Sequence, residues 1–113
     1  MGYDPYDYYD VGQYNQQGTT STRFGTQTDL KNAIAAYHSV GVSCMADLVL
    51  NHRSGGASEA NPNTGGTSFT DYSGVASGEC AWNYNEFHPS TYEVSDPGTF
   101  ESFPDVCHVT ANL

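Results

Sequence analysis

The sequence predicts an α/β chain, and three observations carry that class. A capped amphipathic helix is expected over residues 27–40, and Gly41 stands where its C-terminal cap belongs. A short apolar run, Val42 to Leu50, follows at once and stops at Asn51-His52. Helix, tight turn and strand make half of a βαβ unit. With 113 residues, the chain has room for one small domain at most.

Residues 2–22 come first and are aromatic, acidic and polar, with Tyr3-Asp4-Pro5-Tyr6-Asp7-Tyr8-Tyr9-Asp10 at their centre. Pro and Gly among repeated Asp mark a loop. Tyr and Asp interleaved suit a sugar, because the phenol ring stacks on the C–H face while carboxylates accept from hydroxyls. The competing reading is a loop that merely packs on a neighbour. Thr26 then serves as N-cap with Asp29 three residues on, and Leu30, Ala33, Ile34 and Tyr37 follow at helical spacing. The run at 42–50 lacks strict alternation and is short, so it reads as a strand buried on both faces. In parallel α/β folds ligands sit beyond the carboxyl ends of strands, which makes Asn51 and His52 site candidates by position. Otherwise Asn51 caps a turn and His52 is a surface loop residue.

From Arg53 the character changes. Residues 53–80 hold six of the twelve glycines with many Ser, Thr and Asn, and little periodicity. A long irregular stretch of this kind is expected to be functional or held by a metal. Oxygen donors from Asn51, Asp96 and Asp105 with a backbone carbonyl suit calcium, a hard cation. His88 and Cys107 with a third group suit zinc, although no CxxC or HExxH spacing accompanies them. Three cysteines cannot all pair: Cys44, inside the apolar run, reads as a small buried hydrophobe, while Cys80 and Cys107 are open to a bridge or a metal.

Thirteen acidic residues against three basic ones (Arg23, Lys31, Arg53) give a formal charge of −10. That excludes nucleic-acid and anionic-membrane partners, which need clustered Lys and Arg. The carboxylates are dispersed from Asp4 to Asp105, as on a surface adapted to high salt or on an acidic secreted protein. No apolar stretch reaches membrane-spanning length. Met1-Gly2-Tyr3-Asp4 bears no mark of a signal peptide, which means little if the true start lies upstream.

Ala46-Asp47-Leu48-Val49-Leu50-Asn51-His52 resembles the first conserved region of the alpha-amylase family of glycoside hydrolases, a hydrophobic strand ending in Asn-His. The resemblance extends to Gly2-Tyr3 through Asp10, to Thr22-Arg23-Phe24-Gly25-Thr26, to Phe87-His88-Pro89 and to Phe103-Pro104-Asp105-Val106-Cys107-His108. Among its members, the archaeal extracellular enzymes look most similar. The resemblance implies a (β/α)8 barrel with a B domain inserted after the third strand. Residues 1–52 would then be part of the barrel (loop after the second strand, second helix, third strand). Residues 53–108 would be the B domain, and 109–113 a divergent end.

By the same resemblance Tyr3 stacks under the sugar at the cleavage subsite and His52 hydrogen-bonds it. Asn51, Asp96, Asp105 and the carbonyl of Gly98 match calcium ligands. His88 and Cys107 match two of three ligands for a second metal, zinc, with Glu93 where the family has a histidine. The implied reaction is retaining endo-hydrolysis of α-1,4-glucosidic bonds in starch, glycogen and maltooligosaccharides by a secreted, monomeric enzyme. None of its three catalytic acids has a match here, so the chain reads as an internal piece, expected to be inactive and unstable alone. A calcium- or glucan-binding module without catalysis and a transglycosidase of the same family are the alternatives.

Overall fold

The computed structural model describes residues 3–91, 99–100 and 103–110. The helix, α1, runs Gln27–Ser39 and starts as its sequence dictates. Thr26 Oγ1 accepts from the Asp29 amide at 3.2 Å, and Asp29 Oδ2 accepts from the Thr26 amide at 2.8 Å. The bond from the Thr26 backbone also holds the Asp29 carboxyl below the usual carboxylate range. Gly12 locks the loop onto this helix start: its carbonyl accepts from the Gln27 amide at 3.0 Å. It holds φ +98°, and a Cβ there would lie 2.7 Å from the Gly25 carbonyl, so only glycine fits.

The apolar run departs from expectation. Residues 42–50 carry no assigned secondary structure and form no ladder with any described strand. Met45 is 96% exposed, and Leu48, Leu50 and Cys44 also face solvent. The physical reason is partnership: a strand of this type is stabilised by neighbours on both edges and helices on both faces. Among the described residues none lies alongside. The stripe of α1 is uncovered in the same way, with no residue of the helix buried.

The core sits instead in the stretch expected to be irregular. A hairpin pairs β1, Ala57–Asn61, with β2, Gly66–Asp71, in antiparallel register with an irregularity between Ala57 and Glu59. Asn61-Pro62-Asn63-Thr64-Gly65 turns the chain, and the Thr64 amide reaches the Asn61 carbonyl at 3.2 Å. Tyr72, Val75, Trp82, Phe87 and Val106 then form the hydrophobic cluster. Phe87 is reached through a short 3-10 helix, Tyr84–Glu86, which carries its own capping box between Asn83 and Glu86. A small ladder of β3, Thr99–Phe100, with β4, Phe103–Pro104, leads into Asp105. Isolated bridges join His52 to Asp105 and Phe87 to Val106, tying the end of the apolar run to the cluster. No described helix is long and apolar enough to cross a membrane.

Candidate functional site

The structure brings Tyr3 and His52 together. His52 is 4% exposed, and its Nε2 lies 2.9 Å from the Tyr3 carbonyl. Since a carbonyl only accepts, that nitrogen carries the proton. The imidazole stacks on Phe103, with centroids 5.1 Å apart and planes 12° from parallel. The His52 carbonyl in turn accepts from the Tyr8 hydroxyl at 3.2 Å. Tyr3 presents its ring to solvent, and its hydroxyl donates to Asp47 Oδ2 at 2.9 Å. That bond, with the carboxylate's charge, raises the Tyr3 phenol above its ordinary pKa. Tyr3 is therefore an exposed, oriented aromatic face beside a buried, anchored imidazole.

Most of the Tyr-Asp loop is occupied internally. Tyr6 packs on Tyr72 and Tyr8 on Trp82, with centroids 5.6 and 5.8 Å apart. Asp7, nearly buried, takes the Tyr9 amide and the Ser77 hydroxyl on Oδ1 at 3.1 and 2.7 Å. Its Oδ2 takes the Gln16 side chain and the Ser77 amide at 2.9 and 3.0 Å. Of this stretch Tyr3 and Tyr9 stay exposed, so packing on a neighbour describes Tyr6 to Tyr8 better than sugar contact does. A recess of about 1060 Å³ lies between the loop and the apolar run, with Tyr8, Tyr9, Phe24, Asp47, Leu48 and Trp82 in its wall.

Arg53 is the residue that sequence reasoning passed over. It is fully buried, although a lone cation beside His52 reads as a surface charge. Its guanidinium lies 3.8 Å from the Tyr72 ring centroid, 4.8 Å from that of Tyr8 and 5.0 Å from that of Trp82. Nη1 donates to the Cys80 carbonyl at 2.7 Å and Nη2 to the Tyr6 carbonyl. Burial pushes the guanidinium pKa down, opposed by the surrounding Tyr72 and Tyr8. The same burial pushes the Tyr8 and Tyr72 phenols up to about 12. The only sequence signal was the abundance of aromatics on either side of Arg53.

The metal candidates divide. Asp96, Gly98 and Glu93 lie outside the described residues. Asn51 and Asp105 are brought side by side: the Val106 amide donates to the Asn51 carbonyl at 2.8 Å, next to the His52–Asp105 bridge. That bond uses the backbone oxygen of Asn51 and leaves its exposed side chain as the donor, which fits an oxygen-ligated cation. His88 and Cys107 flank the Phe87–Val106 bridge. His88 Nδ1 is buried without a hydrogen-bond partner among the described residues, as a nitrogen ligand would leave it. The Cys107 sulfur, also buried, lies 3.0 Å from the Ser90 hydroxyl. Among the described residues no three His, Cys, Asp or Glu side chains gather for a metal. Only part of each expected donor set therefore lies among the described residues.

Chemically, this arrangement can stack and orient a sugar ring and can lend oxygen ligands to a cation. No family model matches the chain. It is similar to the alpha-amylase of Bacillus licheniformis, 35% identical over 97 residues, covering 81% of this chain and 19% of that protein. It is 39% identical over 70 residues to the glucan 1,4-alpha-maltohexaosidase of Bacillus sp. (strain 707), covering 56% of this chain and 14% of that protein. Against the alpha-amylase of Geobacillus stearothermophilus it is 42% identical over 55 residues, covering 49% and 10%. The chain thus spans about a fifth or less of the length of these curated relatives. The likeness supports an alpha-amylase-family segment.

Proposed function

We propose that this chain is a segment of an alpha-amylase-family glycoside hydrolase, and that the whole protein cleaves internal α-1,4-glucosidic bonds with retention. Its substrates would be starch, glycogen and maltooligosaccharides. One observation carries the reading: Tyr3 and His52, 49 positions apart, converge at 2.9 Å in a chain that is 35% identical to an alpha-amylase over 97 residues. In this reading Tyr3 stacks under the sugar and His52, buried behind it, sets the position of Tyr3. Asn51 and Asp105, with Asp96 and Gly98, would hold calcium at the seam between the barrel and the B domain, and His88, Cys107 and Glu93 a second metal such as zinc. The relatives matched are bacterial, so the affinity to archaeal extracellular enzymes and the secreted location rest on the motifs. High-salt adaptation rests on the charge of −10.

Retaining hydrolysis needs two carboxyl groups about 5–5.5 Å apart across the scissile bond. The reading places both on other parts of the protein. The test is expression of the full coding region and assay on soluble starch at about 0.1 M and about 3 M salt, where screening lengths differ several-fold. Reducing ends of retained α configuration, with activity kept at high salt, are expected, and the 113-residue chain alone should release none. Transfer products in place of hydrolysis would make the protein a transglycosidase. Binding of glucan without turnover would make it a binding module. Hydrolysis by the 113-residue chain would overturn the assignment of the catalytic acids.

A further inference from the structure

We infer that Arg53 is a positioning residue for the sugar-contact pair, a buried clamp that fixes the loop bearing Tyr3 against His52. The inference rests on the amylase reading for what Tyr3 and His52 contact, but its geometry stands apart from it. Two links tie the loop to His52 itself: the Tyr3 carbonyl lies 2.9 Å from Nε2, and the Tyr8 hydroxyl donates to the His52 carbonyl at 3.2 Å. Both depend on the path of residues 3–8. Arg53 sets that path from the next position in the chain. Its Nη2 takes the Tyr6 carbonyl, midway between the two links, and its guanidinium lies 4.8 Å from the Tyr8 ring centroid.

The other side of the cation is equally committed. Nη1 holds the Cys80 carbonyl at 2.7 Å, and Cys80 sits at φ +49°, a conformation that costs a non-glycine residue energy and needs support. The Arg53 amide donates to the Pro104 carbonyl at 3.1 Å, beside Phe103, on which His52 stacks. The side chain therefore spans the loop and the insertion, while the backbone of the same residue holds the strand that carries the wall of the His52 ring. A planar, five-donor fork stacked on aromatic faces does this; a lysine ammonium is a point charge on a flexible stem and cannot serve two divergent carbonyls while stacking. Burial of an unpaired cation is costly, so a residue kept there needs compensation. The carbonyls and ring faces supply it.

The test uses the protein expressed from its full coding region, with Arg53→Lys, Arg53→Met and Tyr8→Phe, each also combined with Tyr3→Ala. Two readouts are taken well below the melting temperature: kcat/KM on a chromogenic maltooligosaccharide, and amide hydrogen exchange across residues 3–10. Arg53→Lys should lower kcat/KM by about ten- to a hundredfold, as small displacements at a reacting centre do. It should also speed exchange in residues 3–10. On the Tyr3→Ala background the further loss should nearly vanish, since residues acting through one another are not additive. Tyr8→Phe keeps the ring and removes one link, so it should fold and show a smaller loss of the same kind. Unchanged kcat/KM with a lowered Tm, or full additivity with Tyr3→Ala, would overturn the clamp. If the Arg53 variants do not fold, unchanged kinetics in Tyr8→Phe would overturn it. An unmutated protein inactive on α-1,4-glucans sinks the amylase reading instead, and the clamp then stands or falls on exchange in residues 3–10.

Discussion

Asp7 offers the most direct measurement of what joins the Tyr-rich loop to the insertion. Its two oxygens each accept two hydrogen bonds, and two of the four donors belong to Ser77, seventy positions away. Asp7→Ala strips all four. The Ser77 hydroxyl and the Gln16 amide can turn to water, but the backbone N–H groups of Tyr9 and Ser77 cannot. Orphaning a partly buried backbone donor costs about 1–3 kcal/mol, so two cost about 3 kcal/mol with allowance for water entering. Since each 1.4 kcal/mol is tenfold, the Ser77 amide should open, and exchange its hydrogen, about two orders of magnitude faster. Asp7→Asn should do much less. Its carbonyl oxygen can face Gln16 and the Ser77 amide while its NH2 meets the Ser77 hydroxyl, which can accept, so only the Tyr9 amide loses its partner. Hydrogen exchange with peptide-level mass spectrometry over residues 70–80 reads both variants. Less than a threefold change in Asp7→Ala, or equal effects of Ala and Asn, would refute the reasoning.

Two further outcomes follow from the same geometry. Tyr8 and Tyr72 are raised to about 12 by burial, against about 10 in the unfolded chain, so the stability each contributes is complete below pH 10 and is lost as pH climbs to 12. Ultraviolet titration should show phenols ionising late in native protein and on time in denaturant; one shared transition near 10 would contradict the burial. For calcium, Asp105→Asn in the full-length protein should reduce heat resistance, with part of it restored by excess calcium through mass action. Melting as calcium-dependent in the variant as in the unmutated protein would remove Asp105 from the ligand set.

What could be read from the sequence was what is local. Thr26 and Asp29 cap α1 through contacts three residues apart, so the helix was predicted to within a residue of its end. The run at 42–50 reads as a strand buried on both faces, yet it forms no ladder and is mostly exposed here, because pairing and burial of a strand are properties of its neighbours. The hairpin was missed for a different reason. Its buried positions are Asn61 and Thr70, not apolar residues, so no alternation marked it. A chain of side-chain bonds, Asn61 to Ser68 to Thr70 to Glu59 at 3.0, 2.6 and 2.6 Å, does the work an apolar face does elsewhere. A motif drew attention to Tyr3 and His52 but not to Arg53, since a cation held by three rings and two distant carbonyls leaves no local pattern.

The use of the carboxylates shows what kind of site this is. A formal charge of −10 suggests acids carried as free surface charge or as an acid–base pair. Many of them are instead spent on nearby donors. Asp10 Oδ1 gathers the amides of Gly12 and Gln13 at 2.8 and 3.2 Å, Asp71 takes that of Ser73 at 2.9 Å, and Asp29 and Glu86 close capping boxes. Asp7 ties the loop to the insertion, and Asp47 orients the Tyr3 phenol. A carboxylate committed to amide donors is stabilised in its charged form and is a poor proton donor. General acid catalysis in a glycosidase needs the opposite, a carboxyl whose proton is retained near neutral pH by an apolar setting or a like charge. The acids named here build the loop, the caps and the orientation of Tyr3, and in the proposed reading the acid–base chemistry falls to groups elsewhere in the protein.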